Sequence, residues 1–173
     1  MKHGSNQLTD DFVSSLAPPG FSILHSPRLT GQGGGLALIF RSFLKFKLFR
    51  SRNLSPPESF EQMDTKLSTG NKETIFLNIY RPSSSKISTF LDEFQNLLEI
   101  FVPSPSELII SGDFNIHADS DLTTSHKFSG ILDNFHLTQH INFPTHDDGH
   151  SLDLLITRSS STVITHLSQH ESY

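Results

Sequence analysis

The stretch from Thr74 to Gly112 constrains the fold most, because three hydrophobic periods follow one another within it. In Thr74-Ile75-Phe76-Leu77-Asn78-Ile79-Tyr80, Ile75, Leu77 and Ile79 fall on one side and Phe76, Asn78 and Tyr80 on the other, the two-residue period of a strand. Pro82 stops that strand. Ile87, Phe90, Leu91, Phe94, Leu97, Leu98 and Phe101 then recur at spacings of 3, 1, 3, 3, 1 and 3, an apolar stripe at helical period. Pro103 and Pro105 end the helix. The apolar run Leu108-Ile109-Ile110 follows and reads as a strand buried on both faces, ended by the Ser111-Gly112 step.

Weaker signals surround this core. Residues 21–24, 36–40 and 44–49 read as strands, 60–67 as a weaker edge strand, and 152–157 and 163–167 as two closing strands. Phe128, Ile131, Leu132 and Phe135 predict a second helix. Residues 1–34 are otherwise loop-like, broken by Pro18-Pro19-Gly20 and Gly33-Gly34-Gly35, and residues 1–17 are expected to be poorly ordered. Many strands with two intervening helices make a mixed α/β domain. At 173 residues the chain is one domain's worth and long enough to bury a core, with 15 Phe and no Trp to fill it.

Composition narrows the chemistry. The absence of Cys excludes disulfides and cysteine-based zinc sites, so any metal must use oxygen or imidazole ligands. A formal charge of −5 is unlike that of a general nucleic-acid binder. Arg41, Lys45, Lys47, Arg50 and Arg52 nevertheless stand within twelve residues holding no acid; the other 8 basic and 18 acidic residues sum to −10. Alternation with Leu44, Phe46 and Leu48 makes this cluster a solvated strand face rather than a phosphate patch. The polar N-terminus lacks a signal peptide's apolar stretch, and no run is long enough to span a bilayer. The expectation is an intracellular protein, cytoplasmic or nuclear, not secreted and not on a membrane.

The site candidates begin at Gly112-Asp113-Phe114-Asn115, where an extended backbone would turn the Asp113 carboxylate and the Asn115 amide to one face at a strand end. Alone, these four residues are a weak signal, since Asp and Asn suit turns. Their company is specific: Asn78-Ile79-Tyr80-Arg81-Pro82 upstream and Ser151-Leu152-Asp153-Leu154-Leu155-Ile156-Thr157 downstream. Pro18 to Phe21, Gly33 to Gly35, and the stretch Pro144 to Thr157 with His146 and His150 complete the pattern. His140, His146 and His150 also crowd one segment, but its turn character speaks against a helical zinc site.

Together these stretches resemble the endonuclease/exonuclease/phosphatase family, and more closely the endonuclease domain of LINE-type non-LTR retrotransposons, over nearly the whole chain. The resemblance implies a four-layer α/β sandwich, two packed mixed β-sheets flanked by helices, here a single partial domain over residues 1–173 that lacks its first and last strands. It further implies hydrolysis of DNA phosphodiesters with Mg2+ or Mn2+, and no protein partner. On that pattern Asp113 orients and deprotonates a water, and Asn115 and the Tyr80 hydroxyl hold phosphate oxygens. Asp153 buttresses a catalytic histidine, and Asp113 and Asn115 lie at the metal. Asn78, Arg81, His146 and His150 are the substrate-binding candidates.

The chain also departs from that pattern. The family's metal-binding Glu, upstream of Pro18, and its terminal S-D-H are not found; Ser168-Gln169-His170 has Gln in place of the Asp. The expectation is therefore a catalytically impaired nuclease fragment with a weakly held metal. Its rivals are a non-catalytic remnant or binding module, and a small-molecule phosphatase on the same scaffold.

Overall fold

The computed structural model describes residues 10–28, 35–49, 55–116, 122–146 and 149–163. Along the chain run α1 (Asp10–Ser15), β1 (Phe21–Pro27), β2 (Gly35–Arg41), β3 (Phe46–Leu48), β4 (Glu61–Thr69) and β5 (Lys72–Tyr80). They are followed by α2 (Ile87–Phe101), β6 (Glu107–Asp113), α3 (Leu122–Asn134), β7 (Leu137–Gln139) and β8 (Asp153–Arg158). The fold is α/β. β1 and β2 pair with each other, and the remaining strands form a six-stranded sheet in the order β3-β4-β5-β6-β8-β7. Within it β5 and β6 are parallel, because the 15-residue helix α2 carries the chain back between them; the other neighbours are antiparallel.

The helix-side face of this sheet is the main core. Ile75, Leu77 and Ile79 of β5, Leu108 and Ile110 of β6, and Leu154 and Ile156 of β8 pack with Phe90, Phe94, Leu97 and Leu98 of α2 and Phe128 and Leu132 of α3. Phe114, just past β6, is fully buried among them, with the rings of Phe90, Phe94 and Phe128 centred 5.9, 5.7 and 5.8 Å away. The β1–β2 pair lies over β4 and β5 on the opposite face. There Phe40, Phe46 and Phe76 form a chain of rings 4.8 and 5.1 Å apart.

Several expectations change. Residues 10–15 form α1, whose Val13 is buried, where the sequence suggested poor order; residues 1–9 lie outside the described residues. β4 is interior rather than an edge, because β3 pairs along its outer side. Only the larger sheet is mixed; β1 and β2 are purely antiparallel. β6 runs on to Asp113, past the Ser111-Gly112 step. β7 has only three residues, too short to show a period. Val163 is exposed and outside any strand, and the rest of the predicted 163–167 strand lies outside the described residues. Arg41, Lys45 and Lys47 are exposed, Arg41 with its guanidinium 4.3 Å from the Phe21 ring; Arg50 and Arg52 lie outside the described residues. Among the described residues, no helix is long and apolar enough to cross a membrane.

Candidate functional site

Strand register assembles the site. Glu61 is paired with Tyr80, Tyr80 with Asp113, and Asp113 with Asp153, so one row crosses β4, β5, β6 and β8 at the sheet's rim. Two steps inward, the next row on the same face is Met63, Asn78, Ser111 and Leu155. Paired residues share a face, and so do residues two apart, which puts Asn78, Tyr80, Asp113 and Asp153 on the face away from α2. Residues scattered over 76 positions of sequence thus meet at one edge. Asn78 stands inward of the rim, and its Oδ1 accepts a hydrogen bond from Ser111 Oγ at 3.1 Å.

Asp113 and Asn115 come together differently from the sequence expectation. Strand geometry ends at Asp113, and Asn115 adopts a left-handed backbone with φ of 47°. The link is a turn closed by the aspartate itself: Asp113 Oδ1 accepts the Asn115 backbone N–H at 3.0 Å, and Oδ2 accepts Asn115 Nδ2 at 3.1 Å. Nδ2 also donates to the Arg81 carbonyl at 2.7 Å. Both amide hydrogens therefore have internal acceptors. Nδ2 is thus committed within the turn, so any donation by Asn115 to a phosphate would compete with Asp113 and the Arg81 carbonyl.

The motif's remaining residues build the support. Gly112 has φ of 141°, and a Cβ there would stand 1.8 Å from the Ile79 carbonyl oxygen, so only glycine lets β5 and β6 approach this closely beneath the rim. Phe114 anchors the turn in the core, and its N–H donates to the Leu152 carbonyl at 2.9 Å.

Arg81 also acts from below. It is 5% exposed, with Nη1 donating to the Asn115 carbonyl at 2.9 Å and Nη2 to the Ser85 carbonyl at 2.6 Å; its backbone N–H donates to Asp113 O at 2.8 Å. Burial pulls its pKa down, opposed by Asp113. A guanidinium turned inward onto carbonyls braces the turn from beneath.

The loop before β8 is closed by its own backbone. Thr145 and His146 N–H groups both donate to the His150 carbonyl, and Thr145 Oγ1 accepts the N–H groups of Leu152 and Asp153, each at 3.0 Å. This brings His146 within electrostatic range of Asp113. His150 shapes the same turn. His140 sits apart, its Nε2 2.8 Å from the buried Thr157 hydroxyl.

Burial raises the Asp113 carboxyl above its ordinary pKa, and the neighbouring Asp153 adds to that; the Asn115 hydrogen bonds and His146 oppose it. Two carboxylates on adjacent strands beside the Asn115 amide oxygen suit a hydrated divalent cation, which asks for one or two carboxylates plus water and substrate phosphate. Among the described residues no group of three or more His, Asp or Glu side chains is arranged to grip an ion without that help.

Two rim residues escaped the sequence reading. Arg28, just after β1, donates to Glu61 Oε1 from Nε at 2.7 Å and also from Nη2, and Glu61 Oε2 accepts the Gly35 N–H at 2.9 Å. Arg28 lines one concave surface with Asn78, Tyr80, Gly112 and Asp113. Only the pairing of Glu61 with Tyr80 reveals this, and no local period encodes it.

The endonuclease-reverse transcriptase family model matches residues 74–173, more than half of the chain. No curated protein sequence matches significantly. Among solved structures, the endonuclease domain of TRAS1, a telomere-specific non-LTR retrotransposon, superposes with a TM-score of 0.58 at 18% identity, over 79% of this chain and 64% of that one. Humanized D. rerio TDP2 gives 0.58 at 11% identity, over 91% and 69%. The human Nocturnin catalytic domain gives 0.55 at 18%, over 86% and 66%. The chain thus spans about two thirds of the length of these structures, and at such identities the likeness is one of fold.

Proposed function

The chain belongs to the endonuclease-reverse transcriptase family, and on that premise we propose that it carries the phosphodiester-binding rim of a divalent-metal-dependent DNA endonuclease of retrotransposon type, catalytically impaired as the site stands. The observation that carries this reading is the row joining Tyr80, Asp113 and Asp153 at one open edge. DNA as the ligand class is supported by two of the similar structures, the TRAS1 endonuclease domain and D. rerio TDP2 complexed with a single-strand DNA product.

Hydrolysis of a phosphodiester needs a positioned water, stabilisation of charge on the phosphate oxygens, and help for the leaving oxygen. Asp113, whose carboxyl burial raises above its ordinary value and so makes a stronger base, is suited to orient a water and take its proton. The Tyr80 hydroxyl, one strand away, would donate to a phosphate oxygen. Asp113 and the Asn115 amide oxygen would hold Mg2+ or Mn2+, which supplies charge neutralisation at the phosphate. Asp153, on the strand beside Asp113, would orient an imidazole, and His146 is the histidine within electrostatic range of Asp113.

Impairment follows from the donor set. Asp113 has both oxygens in the turn to Asn115, and the described residues offer no third carboxylate arranged with Asp113 and Asp153 around an ion. The same observation favours the non-catalytic module as the second reading. Nicking of supercoiled plasmid in millimolar magnesium by this chain and by Asp113→Ala tests both, with slow or undetectable nicking expected. Fast nicking abolished by Asp113→Ala would overturn the impairment and keep the enzyme. If magnesium alters neither nicking nor DNA binding in either protein, the phosphodiesterase reading falls.

A further inference from the structure

The rim row has an electrostatic difficulty. Glu61, Asp113 and Asp153 place three acids along one line, and a phosphodiester is itself an anion. Of the two arginines at this edge, Arg81 is buried with its guanidinium on carbonyls, whereas the Arg28 side chain is 30% exposed. Arg28 faces the same concavity as Tyr80 and Asp113.

From this placement we infer that Arg28 is a phosphate-contacting residue of the rim. The inference rests on the phosphodiester reading of the site.

Glu61 fixes Arg28 from one side only. Nε and Nη2 point to a single carboxylate oxygen, and the other oxygen is held by the Gly35 N–H at the start of β2. The pair therefore spans the two sheets, clamping the guanidinium at the end of β1 while Nη1 is not part of the clamp. A partly exposed ion pair contributes little to stability, so a purely structural tie is a weak account of it. An arginine held by a carboxylate along one edge keeps planar donors for a phosphate along another. The hydrogen bond to Glu61 keeps the Arg28 guanidinium charged, and because Tyr80 lines the same concavity, Tyr80 and Arg28 would meet the same anion together.

The two roles differ in sign under mutation. A tie between sheets is broken alike by Arg28→Gln and Glu61→Gln. A phosphate contact is lost in Arg28→Gln but kept in Glu61→Gln, which also removes a repelling charge. The experiment follows binding of a fluorescein-labelled DNA duplex by anisotropy across a salt series, in EDTA and again in calcium, with the whole chain below its melting temperature. Arg28→Gln is expected to bind about tenfold more weakly at low salt, with the log–log salt slope reduced by about 0.9. Glu61→Gln should bind as tightly as the parent or tighter, and Arg28→Lys should restore the slope. Equal losses in Arg28→Gln and Glu61→Gln, or an unchanged slope in Arg28→Gln, would overturn the inference while leaving the site reading intact. If the parent chain binds no duplex in either buffer, the site reading fails and this inference with it.

Discussion

The two faces of the six-stranded sheet are made by the same strands in the same register, yet they do opposite things. On the helix side β5, β6 and β8 offer Ile79, Ile110 and Ile156, all fully buried, and aromatic rings from α2 and from Phe114 close over them. On the other side the same strands offer Asn78 and Ser111, then Tyr80, Asp113 and Asp153, and the β1–β2 pair lies over β4 and β5. The packed face fixes where each Cα sits. The polar face inherits that precision without having to be packed, which is how a polar row holds its shape at an open edge.

Gly112 is where the two faces are least separable, and changing it should have the largest effect. In Gly112→Ala the Cβ meets the Ile79 carbonyl at 1.8 Å, and the φ of 141° suits no L-residue. Either β5 and β6 separate or the turn to Asn115 is lost, at a cost of at least about 3 kcal/mol. Urea denaturation would report it, and a variant as stable as the parent would show that the strands do not approach this closely.

Arg81→Ala should act at an intermediate level, on the supporting side of the comparison. It leaves the carbonyls of Asn115 and Ser85 without their donor and should cost about 1–3 kcal/mol in stability. Because the guanidinium faces inward, the salt slope of DNA binding should stay unchanged. A slope that falls as in Arg28→Gln would instead make Arg81 part of the open face.

The smallest effect expected is electrostatic and confined to that face. The Asp113 carboxyl is raised in the folded chain, first by burial and then by Asp153. The folded state therefore holds a proton that the unfolded chain has released. This contribution to stability is present below the ordinary aspartate range and is lost as pH rises through the raised folded value. Asp153→Asn removes one cause, so Asp113 should titrate lower and the loss of stability over that window should be shallower. Carbon-13 NMR of the Asp113 carboxyl across pH measures both. An unmoved titration would mean that the two acids do not sense each other across β6 and β8.

Much of the packed face could be read directly. The stripe from Ile87 to Phe101 gave α2, the alternation from Ile75 to Tyr80 gave β5, and Leu108 to Ile110 gave β6, because each period reports a single local face. Less of the open face was legible. The motifs named Tyr80, Asp113, Asn115 and Asp153, but the turn that joins Asp113 to Asn115 was mistaken for strand geometry, and no local signal showed that the Arg81 guanidinium turns inward. Short elements such as α1 and β7 carried no period strong enough to place them, and for the 60–67 strand the sequence showed the element but not its interior place in the sheet.

The sequence by itself determined which residues are apolar and at what spacing, and hence the strand–helix–strand unit and the Gly112-to-Asn115 motif at its end. Tertiary structure alone decided the register that sets Glu61 beside Tyr80, the clamp of Glu61 on Arg28, the inward turn of the Arg81 guanidinium and the tie of the Asn115 amide to the Arg81 carbonyl. The physical reason is range: a side-chain period is fixed by neighbours a few residues away, whereas the Glu61–Tyr80 pairing, the Arg28–Glu61 clamp and the Asn115–Arg81 hydrogen bond join positions 19, 33 and 34 residues apart along the chain.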